Sequence, residues 1–394
     1  MGYYLIDSSL GSLCVLDTVD GQVSLTAKNS EPTVTKQVQE DSARSDFGEK
    51  NDADIGQEVT FKATLSVPIG TENLIFHDVL SEGLDYIGVT SVTVNDGAAI
   101  SADEAGTAYY SVVTSVDADK CDDSLGGKCD FHVVFTTDFL KEKITNTSNT
   151  VTIIYKAKLN DKAKIGPSEG NPNTCNISYS ENNLYATKSE TKTYTFELPI
   201  FKYTNKATQA QTTAASREED GRATTKVGLP GAKFILSTDG TKTAANDVDN
   251  ATKIKFKQKV DTDGNPVPGE YYVTQDTDGV YEIVSNSQGN IKVAGLDADQ
   301  YYLYESAAPK GYELMEGCVN VTIFGAFADG DRTPGSIVQG LNTPVDRIEV
   351  VNNSGTRLPA TGGIGTTIFY VAGSILLVGA AILLIVKKRM SDEK

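Results

Sequence analysis

Three short stretches each turn one reactive side chain toward an otherwise apolar strand face. In "YTFELPIFKYT" the alternating positions are Leu198, Ile200 and then Lys202. In "YYLYESAAPKGYELM" Leu303 and Glu305 share one face, with Tyr302 and Tyr304 on the other. In "RIEVVNNSG" Ile348, Val350 and Asn352 share a face. Strand side chains alternate between the two faces of a sheet, so the three patterns deliver an amine, a carboxylic acid and a carboxamide to the same interior. Taken alone, Lys202 also reads as a strand-end lysine whose stem is buried and whose amine reaches water. Glu305 shifts the balance, because an inward glutamate is costly unless neutral or paired. Burial favours the uncharged forms of amine and acid alike. A neutral amine is a nucleophile, and a protonated acid can polarise a carbonyl and shuttle protons.

The first half of the chain repeats the theme. "EPTVTKQV" puts Val34, Lys36 and Val38 on one face, and "NLIFHDVLSEGLDYIG" sets Asp78 at a strand end beside His77. "NPNTCNISYSENN" supplies several asparagines, among them Asn173, Asn182 and Asn183. A solvated Lys36 and a turn-capping Asp78 fit the same pattern.

The elements that must position these groups are strands. "QEVTFKATLSVP" alternates Val59, Phe61, Ala63, Leu65 and Val67, and "DFHVVFTTD" and "NTVTIIYKAKLN" behave likewise. Helical periodicity is absent outside the C-terminal apolar run, and strands of this length with turn residues between them predict an all-β chain of tandem immunoglobulin-like β-sandwiches. The expected organisation is residues 1–30 as the end of an N-terminal domain, 31–190 as a first sandwich, 191–354 as a second, and 355–363 as a linker with a short motif. A membrane helix over 364–386 and a basic tail over 387–394 complete it. The opening "MGYYLIDSSLGSLCVLDTVDG" lacks the charged and apolar regions of a signal peptide. It reads as the last strand and turn of a domain whose remainder lies upstream. "NKATQAQTTAASREEDGRATTK" is polar and turn-rich, an exposed insertion after the first strand of the second sandwich.

Composition narrows the function. Lys and Arg number 35 against 53 Asp and Glu, a net charge of −18, which argues against nucleic acid or an anionic membrane surface as partner. Two histidines leave little room for histidine-based catalysis or a histidine metal site. No metal and no cofactor is expected. "DTDGNPVPGEYY" begins like an EF-hand loop, but Pro266 and Tyr272 stand where the glycine and the closing glutamate belong, so it reads as a β-turn. Of the five cysteines, only Cys121 and Cys129 lie close, in "CDDSLGGKC", where a Gly-Gly turn suits a disulfide in an exported protein. Cys14, Cys175 and Cys318 read as buried apolar residues.

The C-terminus joins three features in order: "LPATG", an uncharged run from Ile364 to Val386, and Lys387-Lys388-Arg389. The run exceeds the roughly 20 residues that a membrane span needs, and the basic residues after it mark the cytoplasmic side. Everything before the run then lies outside. The trio resembles the LPxTG sorting signal of Gram-positive surface proteins. The resemblance implies recognition of Leu358 and Pro359 by a sortase, cleavage between Thr361 and Gly362, and transfer of the Thr361 acyl group to an amine.

The second sandwich resembles the Cna B-type domain of pilins. The resemblance rests on "IFK", "GLPGAKFIL", "GNIKVAGLDADQYYLYESAAPKGY" with its E-box, and "VVNNSG". It implies an internal isopeptide bond between Lys202 and Asn352, assisted by Glu305, with Lys233 left at the surface. The first sandwich resembles the fimbrial isopeptide-forming domain of SpaA-type pilins, which implies Lys36 and an asparagine as the bonded pair and Asp78 as helper. The family's closing "YSN" is "YSEN" here, so Asn182 is the first choice, with Asn173 and Asn183 behind it. Together these resemblances imply the C-terminal portion of a SpaA-type backbone pilin. It would not be an enzyme beyond one self-reaction. Its partners would be sortase, neighbouring pilin subunits or peptidoglycan, and host surface ligands. A wall-anchored adhesin using the same domains as a stalk is the alternative. No "YPK" polymerisation motif occurs, in keeping with an N-terminal domain lying upstream.

Overall fold

The computed structural model describes residues 31–41, 46–114, 125, 128–180, 184–205, 226–325, 333–340, 343–352 and 382. The expected N-terminal remnant, the sorting motif, all of the polar insertion but its two end residues and all of the membrane run but Ile382 lie outside them. Among the described residues no helix is long and apolar enough to cross a membrane.

The first sandwich uses β1 (Thr33–Gln39), β2 (Glu58–Pro68), β3 (Ile75–Leu80), β4 (Leu84–Val94), β5 (Phe131–Phe135), β6 (Ser148–Leu159), β7 (Asn171–Tyr179) and β8 (Ser189–Tyr194). One sheet runs Phe47–Gly48, β1, β2, β6, β4, and the other runs Lys50–Asp52, β8, β7, β3, β5, Tyr110–Val113. The predicted alternation of β2 is realised, with Val59, Phe61, Ala63, Leu65 and Val67 all buried. They meet Phe76, Phe131 and Tyr155 between the sheets. One departure from the all-strand expectation is a helical turn, Thr137–Glu142, capped by Thr136, whose hydroxyl accepts the Phe139 N–H at 3.1 Å. It is too short for periodicity to reveal, and a serine-like cap is what starts it.

The second sandwich uses β9 (Phe196–Thr204), β10 (Lys233–Ser237), β11 (Pro266–Val273), β12 (Asn290–Leu296), β13 (Gln300–Ala307), β14 (Val319–Ile323) and β15 (Ile348–Val351). The first of its sheets runs Val227–Gly228, β9, β12, β11, Phe256–Val260, with β15 added beside β9. The facing sheet runs Ile283–Val284, β10, β13, β14, Ile337–Gln339, Pro344–Val345. The first and last strands, β9 and β15, run parallel and adjacent. Leu198, Ile200, Phe234, Leu303, Ile348 and Val350 fill the interior. Tyr304, read as outward, is also buried. It packs with Ile235, Ala245 and Val248 under the segment that crosses the outer face.

The sheets divide at Thr195, a few residues beyond the expected boundary at 190, because β8 still pairs with β7 through Thr193. The two sandwiches then bond directly. Ile55 N–H donates to the Gly295 carbonyl at 2.9 Å, and Asp297 N–H donates to Asp54 Oδ1 at 2.8 Å. Gly295 has φ +86°, and a Cβ there would stand 2.5 Å from Ile55 Cδ1, so this contact requires glycine.

Candidate functional site

Each sandwich buries one lysine between its sheets and meets it with an acid and an amide. In the second sandwich the register of β9 on β15 sets Lys202 opposite Val350, two residues before Asn352. The Asn352 N–H donates to the Tyr203 carbonyl at 2.8 Å and fixes the end of that strand. The Lys202 Nζ then donates to Asn352 Oδ1 at 2.6 Å. From the facing sheet, Glu305 Oε1 comes within 2.8 Å of the same Nζ, and neither side chain is exposed to solvent. Glu305 Oε2 accepts the Met315 N–H at 2.8 Å, which holds the carboxyl in place. The amine lies 5.4 Å from the Phe234 ring centroid. Burial lowers the Lys202 pKa, and the Glu305 carboxyl opposes that shift. The buried Asn352 Nδ2 has no hydrogen-bond partner among the described residues.

The backbone around Lys202 is tightly held. Its N–H donates to the Gly289 carbonyl and its carbonyl accepts the Leu229 N–H, both at 2.8 Å. Gly289 has φ +83°, and a Cβ there would lie 2.3 Å from the Lys202 carbonyl oxygen. A glycine turn is what lets the next strand approach so closely.

In the first sandwich Lys36, on β1, reaches across to Asp78 on β3, with Nζ 2.6 Å from Oδ2 and neither side chain exposed. Asp78 sits within its strand rather than at the end that the sequence suggests. The Lys36 amine also donates to Asn173 Oδ1. Asn173 lies on β7, opposite Leu80, so it is the diagonal neighbour of Asp78 on one inward face. Asn182 and Asn183 lie outside the described residues, and Asn173 is the amide in contact. Tyr155, on β6, joins the group. Its hydroxyl donates to Asp78 Oδ2 at 2.7 Å and accepts from Asn173 Nδ2 at 3.1 Å. Lys36, Asp78, Tyr155 and Asn173 thus form a closed ring of contacts. Burial raises the Asp78 carboxyl to about 6 against the opposing pull of Lys36 and Tyr155. Burial also holds the Tyr155 phenol well above its ordinary range.

Nothing in the sequence distinguishes Tyr155, which is one more inward residue of an alternating strand. Lys233 is exposed and meets Glu282 at 3.0 Å, away from either cluster. Cys175 is buried, its thiol pushed up to about 12 by desolvation, whereas Cys318 is only half-buried. Cys129 is disulfide-bonded, and Cys121 lies outside the described residues. The chain's two histidines, given no role from sequence, stand together. His77 Nδ1 is 2.9 Å from His132 Nε2, with Cys129 Sγ 3.9 Å from the same nitrogen.

Two segments of the chain match known families. The SpaA prealbumin-like fold domain matches residues 219–330, and the LPXTG cell wall anchor motif matches residues 350–393. The chain is an LPXTG-anchored surface protein with a SpaA domain. It therefore belongs outside the cell, attached to the wall. Within this SpaA-domain protein the family match contains Glu305, while Lys202 precedes it and Asn352 falls in the anchor match. Over 428 aligned residues, 94% of this chain and 71% of the relative, it is 24% identical to the trypsin-resistant surface T6 protein of Streptococcus pyogenes serotype M6. Over 93 residues, 24% of this chain and 16% of the relative, it is 30% identical to fimbrial subunit type 1 of Actinomyces viscosus. A solved 35 kDa C-terminal fragment of a major pilin of Streptococcus agalactiae matches at TM-score 0.51 and 16% identity, over 82% of this chain and 100% of the fragment. That last likeness is one of fold.

Proposed function

We propose that this SpaA-domain protein is a backbone subunit of a sortase-assembled pilus, and that each sandwich locks itself with one lysine–asparagine isopeptide bond. The observation that carries the reading is the repetition: two unrelated stretches of chain each bury an amine in contact with both an amide oxygen and a carboxyl. An ordinary buried ion pair needs no carboxamide. A fibre tethered at one end and pulled at the other gains from a covalent tie between terminal strands, and β9 and β15 are the first and last strands of their sandwich.

In the second sandwich the neutral Lys202 Nζ adds to the Asn352 amide carbon. The electron pair of the carbonyl moves to Oδ1, and Glu305 carries a proton from Nζ to Nδ2. Collapse releases Nδ2 as ammonia, so amine plus primary amide becomes secondary amide plus ammonia. An unsatisfied buried donor costs about 1–3 kcal/mol, and the departing Nδ2 removes that cost. In the first sandwich Lys36 and Asn173 react in the same way. Asp78 takes the proton from Nζ, and Tyr155, bonded to both Asp78 and Asn173 Nδ2, relays one to the leaving nitrogen. Proximity supplies the acceleration, because the fold holds the reactants in contact. The reaction occurs once per bond and the protein is not an enzyme.

Intact-mass spectrometry of the exported ectodomain tests the reading. The expected mass is lower than the plain sequence, after allowing for the disulfide, by two ammonia. No deficit at all would overturn it.

A further inference from the structure

The geometry points to a zinc-binding site formed by His77, His132 and Cys129, available when the Cys129 disulfide is reduced. His77 on β3 and His132 on β5 are directly opposed across the antiparallel pair. Their rings face away from Asp78 and the core, yet both are buried, at 1% and 3% exposure. Their ring centroids are 4.3 Å apart. The three donor atoms all lie within 4.8 Å of one another.

The distances fit a small tetrahedral ion. Around zinc, with bonds of roughly 2.0–2.1 Å to nitrogen and 2.3 Å to sulfur, neighbouring ligands stand about 3.3 Å (N–N) and 3.6 Å (N–S) apart. Here the Nδ1–Nε2 edge is 2.9 Å and the Nδ1–Sγ edge is 3.9 Å, each within about half an ångström of those values. The far nitrogen of His77 is already engaged, with Nε2 2.8 Å from Ser178 Oγ. That contact orients the ring and leaves Nδ1 as the ligand when Nε2 carries the proton, the role that outer partners play for metal-bound histidines. Two imidazoles and a thiolate select a borderline or soft ion over calcium or magnesium.

Cys129 cannot serve both partners. As half of a disulfide its sulfur is a poor ligand. A phosphine and one water reduce the disulfide to two thiols, the phosphine leaving as its oxide. Zinc then displaces the Cys129 thiol proton to solvent. Reoxidation by a small disulfide removes two electrons from the thiols and expels the ion.

Zinc alone is the probe. The full ectodomain, oxidised or reduced with a phosphine, is titrated against a chromogenic zinc chelator. The expected result is one zinc per reduced chain, at least tenfold weaker uptake by the oxidised chain, and at least tenfold loss in reduced His132→Gln. Cys129→Ser should match the oxidised protein whatever the reductant, and circular dichroism of each variant reports that the sheets persist. Bound zinc should also slow alkylation of Cys129. Equal uptake by oxidised and reduced chains, no uptake by the reduced chain, or undiminished uptake by a folded His132→Gln would each overturn the site.

Discussion

Lys202 Nζ stands 2.6 Å from Asn352 Oδ1 across 150 residues of sequence, because the first and last strands of the sandwich lie parallel side by side. If the two react, the chain between them becomes a closed loop. In the chain-entropy description a cross-link over such a span stabilises the fold by about 5 kcal/mol. Glu305→Ala should leave both partners in place but unreacted. The measured mass should rise by one ammonia beyond the substitution itself, and unfolding stability should fall by about 5 kcal/mol. Chemical denaturation alongside mass spectrometry reads both quantities. A variant that still shows the full mass deficit would remove Glu305 from the reaction.

The first sandwich offers a choice between asparagines. Asn173 contacts Lys36 and Tyr155 inside the fold, whereas the family motif directs attention to Asn182. Asn173→Ala should abolish the first sandwich's ammonia loss, and Asn182→Ala should leave it intact. Peptide mapping after trypsin should recover Lys36 cross-linked to the β7 peptide in the wild type and in Asn182→Ala, and not in Asn173→Ala. A cross-link to Asn182 would reverse the assignment.

The contrast between the two sandwiches explains what was legible from sequence. Lys202, Glu305 and Asn352 each end or interrupt a clean alternation of apolar residues, so each strand alone betrays its odd member. Asn173 alternates with Cys175 and Ile177 in the same way, and both of those are buried. Its position diagonal to Asp78 depends on the β3–β7 register, which a single strand does not encode. Tyr155 is apolar enough to pass as core, and only its hydroxyl, aimed between Asp78 and Asn173, distinguishes it. His77 and His132 are 55 residues apart and meet through β-pairing, so spacing could not join them. Tyr304 misleads for another reason: residues folded back over the outer face bury a position that alternation assigns to solvent.

Anchoring rests on the LPXTG match rather than on the sandwiches. Thr361→Ala should leave the protein with the membrane fraction or shed into the medium, since the proposed sortase would read the threonine side chain as part of the motif. Fractionation of cell walls after muramidase digestion distinguishes the outcomes. Undiminished covalent attachment to peptidoglycan, or an unaltered ladder of covalent polymers, would refute the role of this motif.

The joint between the sandwiches should make stability depend on pH. Asp54 accepts the Asp297 N–H across the joint, and burial pushes its carboxyl from 3.8 up to about 6, with Asp41 and Asp299 adding to the rise. Asp297 itself is held well above the carboxylate range, by burial first and then by Asp54, Asp41, Asp52 and Glu40. A raised carboxyl means that the folded chain binds the proton more tightly than the unfolded chain. The stabilisation is therefore complete below the unfolded value and is lost as pH climbs through the folded one, between 3.8 and about 6 for Asp54. Asp54→Asn keeps an oxygen to accept the Asp297 N–H and removes the titration. The variant should gain on the wild type by on the order of 1–3 kcal/mol as pH rises from about 4 to 7. Urea unfolding of both proteins at the two pH values gives the difference directly. A gap between variant and wild type that stays constant with pH would show that Asp54 does not carry a buried proton at the joint.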